Sequence, residues 1–360
     1  KQHAPVCNVL VPGIMAQAPR LRDAIARGDD HTTIGLTRLV VELGFSYMDL
    51  IVGEAEINQA EVINTVLQSA LCPDLEVARM TLPFFGNLAR QLRFAEDEEY
   101  GMNHGHALPH DQSVVARRKT QFQPMIQKLA HACVKRCVLS EDLFEASVDT
   151  ITKVLAAGPS GAAAALQNGA IREASSLTGE RIDHRVGFAY CLKEDCVDIL
   201  GFEPCIDLAV AAVRSAWSAV GQVNTSAQAD QAWRMLEGSL FAACALLSAP
   251  GTHIEEYTSL QSLHDLIAMI PRFCTDTSIY AAGYAAQGSA AQVNASRARA
   301  VNLLILRTCI GFLFDETSPR RADHCASMVH YAHSYERMKS ANVIGTANVL
   351  RFCCAEDNSN

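Results

Sequence analysis

Histidine and cysteine are the side chains of this chain best suited to chemistry. His104, His106 and His110-Asp111 stand close together in one short stretch. Imidazole is the commonest zinc ligand, so such a cluster suggests a metal site. Gly101, Gly105 and Pro109 around it suggest a polar loop instead, and nothing in the spacing makes the rings converge. His330 and His333 are three residues apart and share a helical face, with His324 upstream. No carboxylate follows them at ligand spacing, so they read as surface or partly packed side chains. The thirteen cysteines form no ladder of paired spacings. Cys133 and Cys137 are one helical turn apart, Cys191 and Cys196 are five apart, Cys353 and Cys354 adjoin, and no C-x-x-C occurs. An odd count, mostly inside apolar stripes, reads as reduced, buried thiols of an intracellular protein. No residue is assigned to catalysis, to a metal or to a cofactor. The phosphate-binding G-x-x-x-x-G-K-[ST], G-x-S-x-G and H-E-x-x-H motifs are all missing. The expectation is a protein that is not an enzyme. An all-helical enzyme with a His/Cys site is the remotest alternative.

Charge gives the other candidates. Glu96, Asp97, Glu98 and Glu99 make the densest acidic run. It reads either as an electrostatic clasp for a basic partner or as a solvated loop. Arg117-Arg118-Lys119 downstream would be its opposite pole, or simply the exposed start of a helix. The formal charge of −9 argues against a general nucleic-acid binder and suits basic protein partners. No apolar run reaches membrane-spanning length, and the best, Val301–Phe314, is broken by Arg307. Asn8, Pro12 and Gly13 spoil a faint signal-like start. The sequence opens at Lys1 in mid-pattern and reads as part of a longer chain.

The elements that must position these residues are helices. Apolar stripes begin near Thr33, Leu75, Ile182, Ala229, Thr275 and Arg321, and the last four starts are 47, 46 and 46 residues apart. Paired helices recurring at about 40–47 residues are the mark of HEAT or armadillo repeats. Stripes at helical spacing run through Leu36, Leu39, Val40, Leu43, Tyr47, Leu50 and Ile51, through Ile206, Val210, Val213, Trp217 and Val220, and through Trp233, Leu236, Leu240, Phe241, Cys244 and Leu247. Val301, Leu304, Ile305, Thr308 and Phe312 continue the series, as do Cys325–Tyr335 and Val343–Cys354. Each stripe predicts inter-helix core. Asp29-Asp30, Asp74 and Asp183 read as helix starts. The predicted fold is all-α, a right-handed α-solenoid of HEAT-type helical hairpins. It is expected to run as one segment over 1–360, with insertions at about 94–112 and 139–181, the second holding one helix over Glu141–Leu155. Such repeats present surface rather than a catalytic pocket.

Three stretches carry a family resemblance. The first is Leu10-Val-Pro-Gly-Ile-Met, then Ala24-Ile-Ala-Arg, then Leu36–Ile51. The second is Leu75-Glu-Val-Ala-Arg leading to Phe84-Phe85-Gly-Asn-Leu, and the third Phe122-Gln-Pro-Met-Ile-Gln-Lys-Leu running to Cys137. With the repeat period and acidic balance, they resemble the central part of a nuclear transport receptor of the importin-β superfamily, in the transportin-SR and importin-thirteen branch. The resemblance implies a receptor shuttling between cytoplasm and nucleus. It implies Ran-GTP, protein cargo and nucleoporins as partners, with no membrane and no direct nucleic-acid contact. The branch reads Arg-Ser cargo partly through an arginine-rich helix, and none is found here, so no cargo class carries over. The structural alternative is a HEAT scaffold for a multiprotein complex, without a GTPase switch.

Overall fold

The computed structural model describes residues 5–53, 57–94, 112–156, 179–220, 222 and 226–247, with isolated positions at 260–262, 265–266, 269, 301 and 304–305. The described residues are helical, and no strand occurs among them. The fold is all-α, as the stripes predict. Its elements are π1 (Val6–Leu10), α1 (Val11–Met15), α2 (Ala18–Arg27), α3 (Asp30–Ser46), α4 (Met48–Val52), α5 (Gln59–Ala70), α6 (Leu75–Met80) and α7 (Leu82–Phe94). They continue with α8 (Gln112–Arg136), α9 (Glu141–Ala156), α10 (Gly179–Tyr190), π2 (Cys191–Cys196), α11 (Val197–Leu200), α12 (Phe202–Val220) and α13 (Ser226–Leu247). None of these helices is long and apolar enough to cross a membrane.

The chain divides into two compact units, 1–137 with 179–208, and 138–178 with 209–360. In the first unit α3 packs on α2 and α5, α5 on α8, and π2 on both α7 and α8. Two predicted caps close helix starts. The Asp29 carboxylate accepts from the Thr32 backbone N–H at the start of α3. Asp74 accepts from the N–H groups of Glu76 and Val77 at the start of α6. Each satisfies donors that the first helical turn leaves without a partner. Gly28 ends α2 in the left-handed conformation, φ 67°, where a side chain would be strained.

The first stripe needs correction. It is not one helix over Leu36–Ile51: the chain breaks at Tyr47, between α3 and α4. Val40, Leu43, Leu50 and Ile51 of the stripe are buried as predicted, but the inner face of α3 is turned away from Leu39. Thr33, Thr37, Val40, Leu43 and Gly44 are buried, whereas Leu39 is 41% exposed. Two facts explain the rotation. Thr37 Oγ1 lies 2.9 Å from Ser69 Oγ of α5, so the buried hydroxyl finds its partner across the helix pair. And Gly44 sits under Phe84, where a Cβ would come within 2.4 Å of the ring. Small and hydroxylated residues face in because the neighbouring helices approach closely. Asp183 also moves: it lies inside α10, which begins at Gly179.

In the second unit α9 occupies Glu141–Ala156, within one residue of the helix expected in the 139–181 insertion. It packs on α13. The predicted stripe of α13 is buried at Trp233, Leu236, Leu240, Cys244 and Leu247. Trp233 meets Trp217 edge to face, with ring centroids 6.3 Å apart. Val301, Leu304 and Ile305 are buried as predicted. Thr308, Phe312 and the stripes Cys325–Tyr335 and Val343–Cys354 lie outside the described residues.

Candidate functional site

The acidic run Glu96, Asp97, Glu98 and Glu99 lies outside the described residues, as do His104, His106, His110, Asp111, His324, His330 and His333. The proposed basic pole is described, and it is engaged within the fold. Arg118 Nη2 donates to the Gly53 carbonyl at 2.9 Å, just past the end of α4. Lys119 Nζ donates to the Asp198 carbonyl of α11 at 3.2 Å. At the other end of α8, Arg136 donates to the carbonyls of Cys72 and Pro73, just beyond α5. Cations therefore leave α8 for the carboxyl-terminal ends of three neighbouring helices. Those ends carry carbonyls without intrahelical partners and partial negative charge, which is the physical reason for the placement. Arg118 and Lys119 thereby tie α8 to two neighbouring helices. Beside Arg136, an open groove of about 640 Å³ is lined by Leu71, Pro124, Lys128, His131 and Lys135.

The structure assembles something the sequence reading did not. The Sγ atoms of Cys133, Cys191 and Cys196 all lie within 4.8 Å of one another, and all three residues are buried. Cys133 comes from the last turns of α8, while Cys191 and Cys196 are the first and last residues of π2. The π turn makes the assembly possible. Five residues along an α-helix rotate a side chain by about 500°, leaving the two thiols roughly 140° apart. A π-helix bonds each residue to the fifth one on, so positions five apart fall one above the other. The spacing of Cys191 and Cys196 was visible in the sequence, but the π geometry that gives it meaning was not. Cys133, 58 residues before Cys191, had no local link to either.

The surroundings are polar on one side. Asp195, partly open to solvent, shares a hydrogen bond with Cys191. α7 passes beside its carboxylate at Gly86, whose absent Cβ would stand 3.4 Å from Asp195 Oδ1. Desolvation first, then charge on Cys191 and the neighbouring Asp198 and Glu194, pushes the Asp195 carboxyl up to about 9. Hydrogen bonds from Cys191 and Cys196 pull Cys133 down to about 6 against the opposing effect of burial. The same bonds raise Cys191 and Cys196 well above the ordinary thiol range. The cluster thus gives up its first proton most easily at Cys133, and the other two thiols donate to the resulting thiolate. Nearby, burial pushes Cys205 up to about 12, marking it as an inert core thiol. The described cysteines all carry free thiols, Cys133 and Cys244 buried among them, and Cys309 is outside the described residues.

Comparison with known proteins gives two family matches. Residues 28–108 match the family model described as the Transportin-3/Importin-13 second TPR domain. They contain α3, α5, α6 and α7. At that coarse level the match supports a similarity of this stretch to importin-β-type proteins. Residues 322–359, outside the described residues, match a model of NAD-binding type described as Male sterility protein. No curated protein and no solved structure matches the chain.

Proposed function

We propose that this chain is a segment of a nuclear transport receptor, binding protein cargo and Ran-GTP without covalent chemistry and shuttling between cytoplasm and nucleus. The observation that carries the reading is the match over residues 28–108 to a transportin/importin repeat domain. It falls on stacked helices of the first unit. Helical repeats join through modest interfaces, so small rotations add along an array, and a GTPase can bias cargo-holding against cargo-free forms. Nucleoporins are the further expected partners. The chain itself performs no catalysis in this reading. Glu96, Asp97, Glu98 and Glu99 remain the proposed contact for a basic partner, since four adjacent carboxylates attract cations in a salt-sensitive way.

The test uses the full-length protein. Partner affinity is measured with Ran-GTP and with Ran-GDP, and a difference of at least about tenfold, ~1.4 kcal/mol, is expected of coupled sites. Indifference to the nucleotide state removes the receptor reading and leaves the scaffold. A nicotinamide reading of the 322–359 match has its own test, quenching of NADPH fluorescence by the full chain. No two glycines of this sequence stand two apart, so the G-x-G-x-x-G turn of a dinucleotide site has no counterpart in it. Saturable NADPH binding would put an enzyme ahead of both other readings.

A further inference from the structure

We propose that Cys133, Cys191 and Cys196 form a zinc site, a three-thiolate centre on the α8–π2 junction, with the Asp195 carboxyl hydrogen-bonded to Cys191 beside it. Three observations carry it. First, the donors are of the right kind: thiolate sulfur is a ligand that Zn²⁺ favours. Second, the separations fit. Zn–S bonds of ~2.3 Å place tetrahedral sulfurs about 3.8 Å apart. The thiols, all within 4.8 Å of one another, already stand near that spacing. Third, the backbone departs from α-helix where the site needs it. π2 brings Cys191 and Cys196 into line, and single π turns inside α-helices concentrate at functional sites.

Packing alone is the competing account, since a free cysteine serves well as a small apolar core residue. Packing does not call for a carboxylate. Asp195 is held against the backbone of α7 at Gly86 and bonded to one of the three thiols, where an apolar residue would pack at no electrostatic cost. A bound cation would offset the charge of the ionised carboxylate. Arg136, one turn beyond Cys133, adds a fixed positive charge near the resulting anionic centre while its guanidinium lies 5.6 Å from the Phe188 ring. All these residues belong to the first unit, so the site is complete within it.

Binding is written as one Zn²⁺ replacing the protons of three thiols. The protons pass to solvent, and nothing is oxidised or reduced. The ion would pin the end of α8 to π2, which are 55 residues or more apart in sequence, and would stabilise the first unit in proportion to its occupancy. This is a structural centre, and it does not depend on whether the chain is a transport receptor.

The experiment takes the full chain, purified reduced, stripped with chelator and titrated with zinc ion alone. One zinc per chain is expected, with release of about two to three protons. Cobalt substitution should give thiolate-to-metal charge transfer and the visible bands of a tetrahedral site. Bound zinc should protect Cys133, Cys191 and Cys196 together from alkylation, mapped by mass spectrometry, and leave Cys7 reactive. The combined Cys133→Ser, Cys191→Ser, Cys196→Ser variant should lose the metal, and Cys244→Ser should keep it. Should the combined variant not fold, Cys191→Ser alone should weaken zinc binding by at least tenfold. No zinc uptake by the wild type, cobalt bands without thiolate character, protection falling on other cysteines, or a Cys191–Cys196 disulfide in the purified protein would each overturn the site.

Discussion

The α8–π2 junction of the first unit and the α13 face of the second solve the same problem, closing helix on helix, by different means. At α8–π2 the contact is made of ionisable groups: three thiols, a carboxylate and a guanidinium. At α13 it is made mainly of shape, with Arg234 at the edge donating to the Leu139 carbonyl and pairing with Glu141 at 3.5 Å. Gly238 lets the helix ride directly on the backbone of Val138, and Trp233 fills the space beside it, with Glu237 and Ser239 the polar residues among the buried ones. Packing at van der Waals contact changes little with pH, metal or redox state. A contact between titratable groups responds to all three. The comparison teaches where to look for conditional behaviour in a helical-repeat protein: in the cross-helix contact that carries donors, and not in the one with the larger side chains.

The sharpest way to break the comparison is Gly238→Ala. An added Cβ would stand 2.5 Å from Val138 Cα and 2.7 Å from its nitrogen, and backbone cannot rotate away. Even after the gain in helix propensity, destabilisation of about 3 kcal/mol is expected, the same at pH 6 and pH 8. Both tryptophans of the chain, Trp217 and Trp233, lie in the second unit, so urea unfolding followed by their fluorescence reads it directly. An unshifted midpoint would show that α13 is not seated on Val138.

Gly44→Ala tests close packing in the first unit. Its Cβ would come within 2.4 Å of the Phe84 ring, but a ring edge yields more readily than a backbone. Destabilisation of about 2 kcal/mol is expected, and a Phe84→Leu partner substitution should recover part of it. Strict additivity of the two in denaturation would argue against the contact.

Asp195→Asn should have a smaller effect and the opposite sign, in metal-stripped protein. The folded carboxyl is raised to about 9, above an unfolded value of ~3.9. Between those values the native state holds the extra proton, so wild-type stability is fullest below pH 4 and falls as pH rises towards 9. The amide is neutral throughout and escapes that loss. A gain of about 1–2 kcal/mol at pH 8 is expected, reduced from the full shift because the carboxylate keeps some solvent contact. It should vanish near pH 4 in circular-dichroism melts. A pH-independent difference would mean that Asp195 is not held neutral. Smallest is Asp74→Ala, which removes the cap of α6 and should cost about 1 kcal/mol at neutral pH, measured by the same melts.

Much of the fold was legible because its signals are local. A carboxylate just before an apolar run can cap the helix it precedes, and Asp29 and Asp74 did so, whereas Asp183 lies inside α10. The Trp233–Leu247 stripe was legible because periodic leucines have one way to leave water. The Leu36–Ile51 stripe was right at Val40, Leu43, Leu50 and Ile51 and wrong at Leu39, where hydrophobicity was weighed without size. The close approach of α5 and Phe84 favoured Thr37 and Gly44 over Leu39 for the inner face. That Arg118 and Lys119 hold backbone carbonyls was not legible, because charge in a sequence does not show which carbonyls lie within reach.

By itself, then, the sequence determined that the described residues are helical, the helices α9, α12 and α13 with much of their buried faces, the starts of α3 and α6, and a resemblance that the match over 28–108 supports at a coarse level. These follow from interactions within a few residues along the chain, where composition and spacing are sufficient. Tertiary structure alone decided which face of α3 turns inward, what the cations of α8 hold, and that three thiols from two distant segments meet. Those outcomes depend on distances between helices of about an ångström, and on a π turn whose backbone hydrogen bonds shift by one residue. Neither quantity is written in the order of the amino acids, because both are settled only when the neighbouring helices pack.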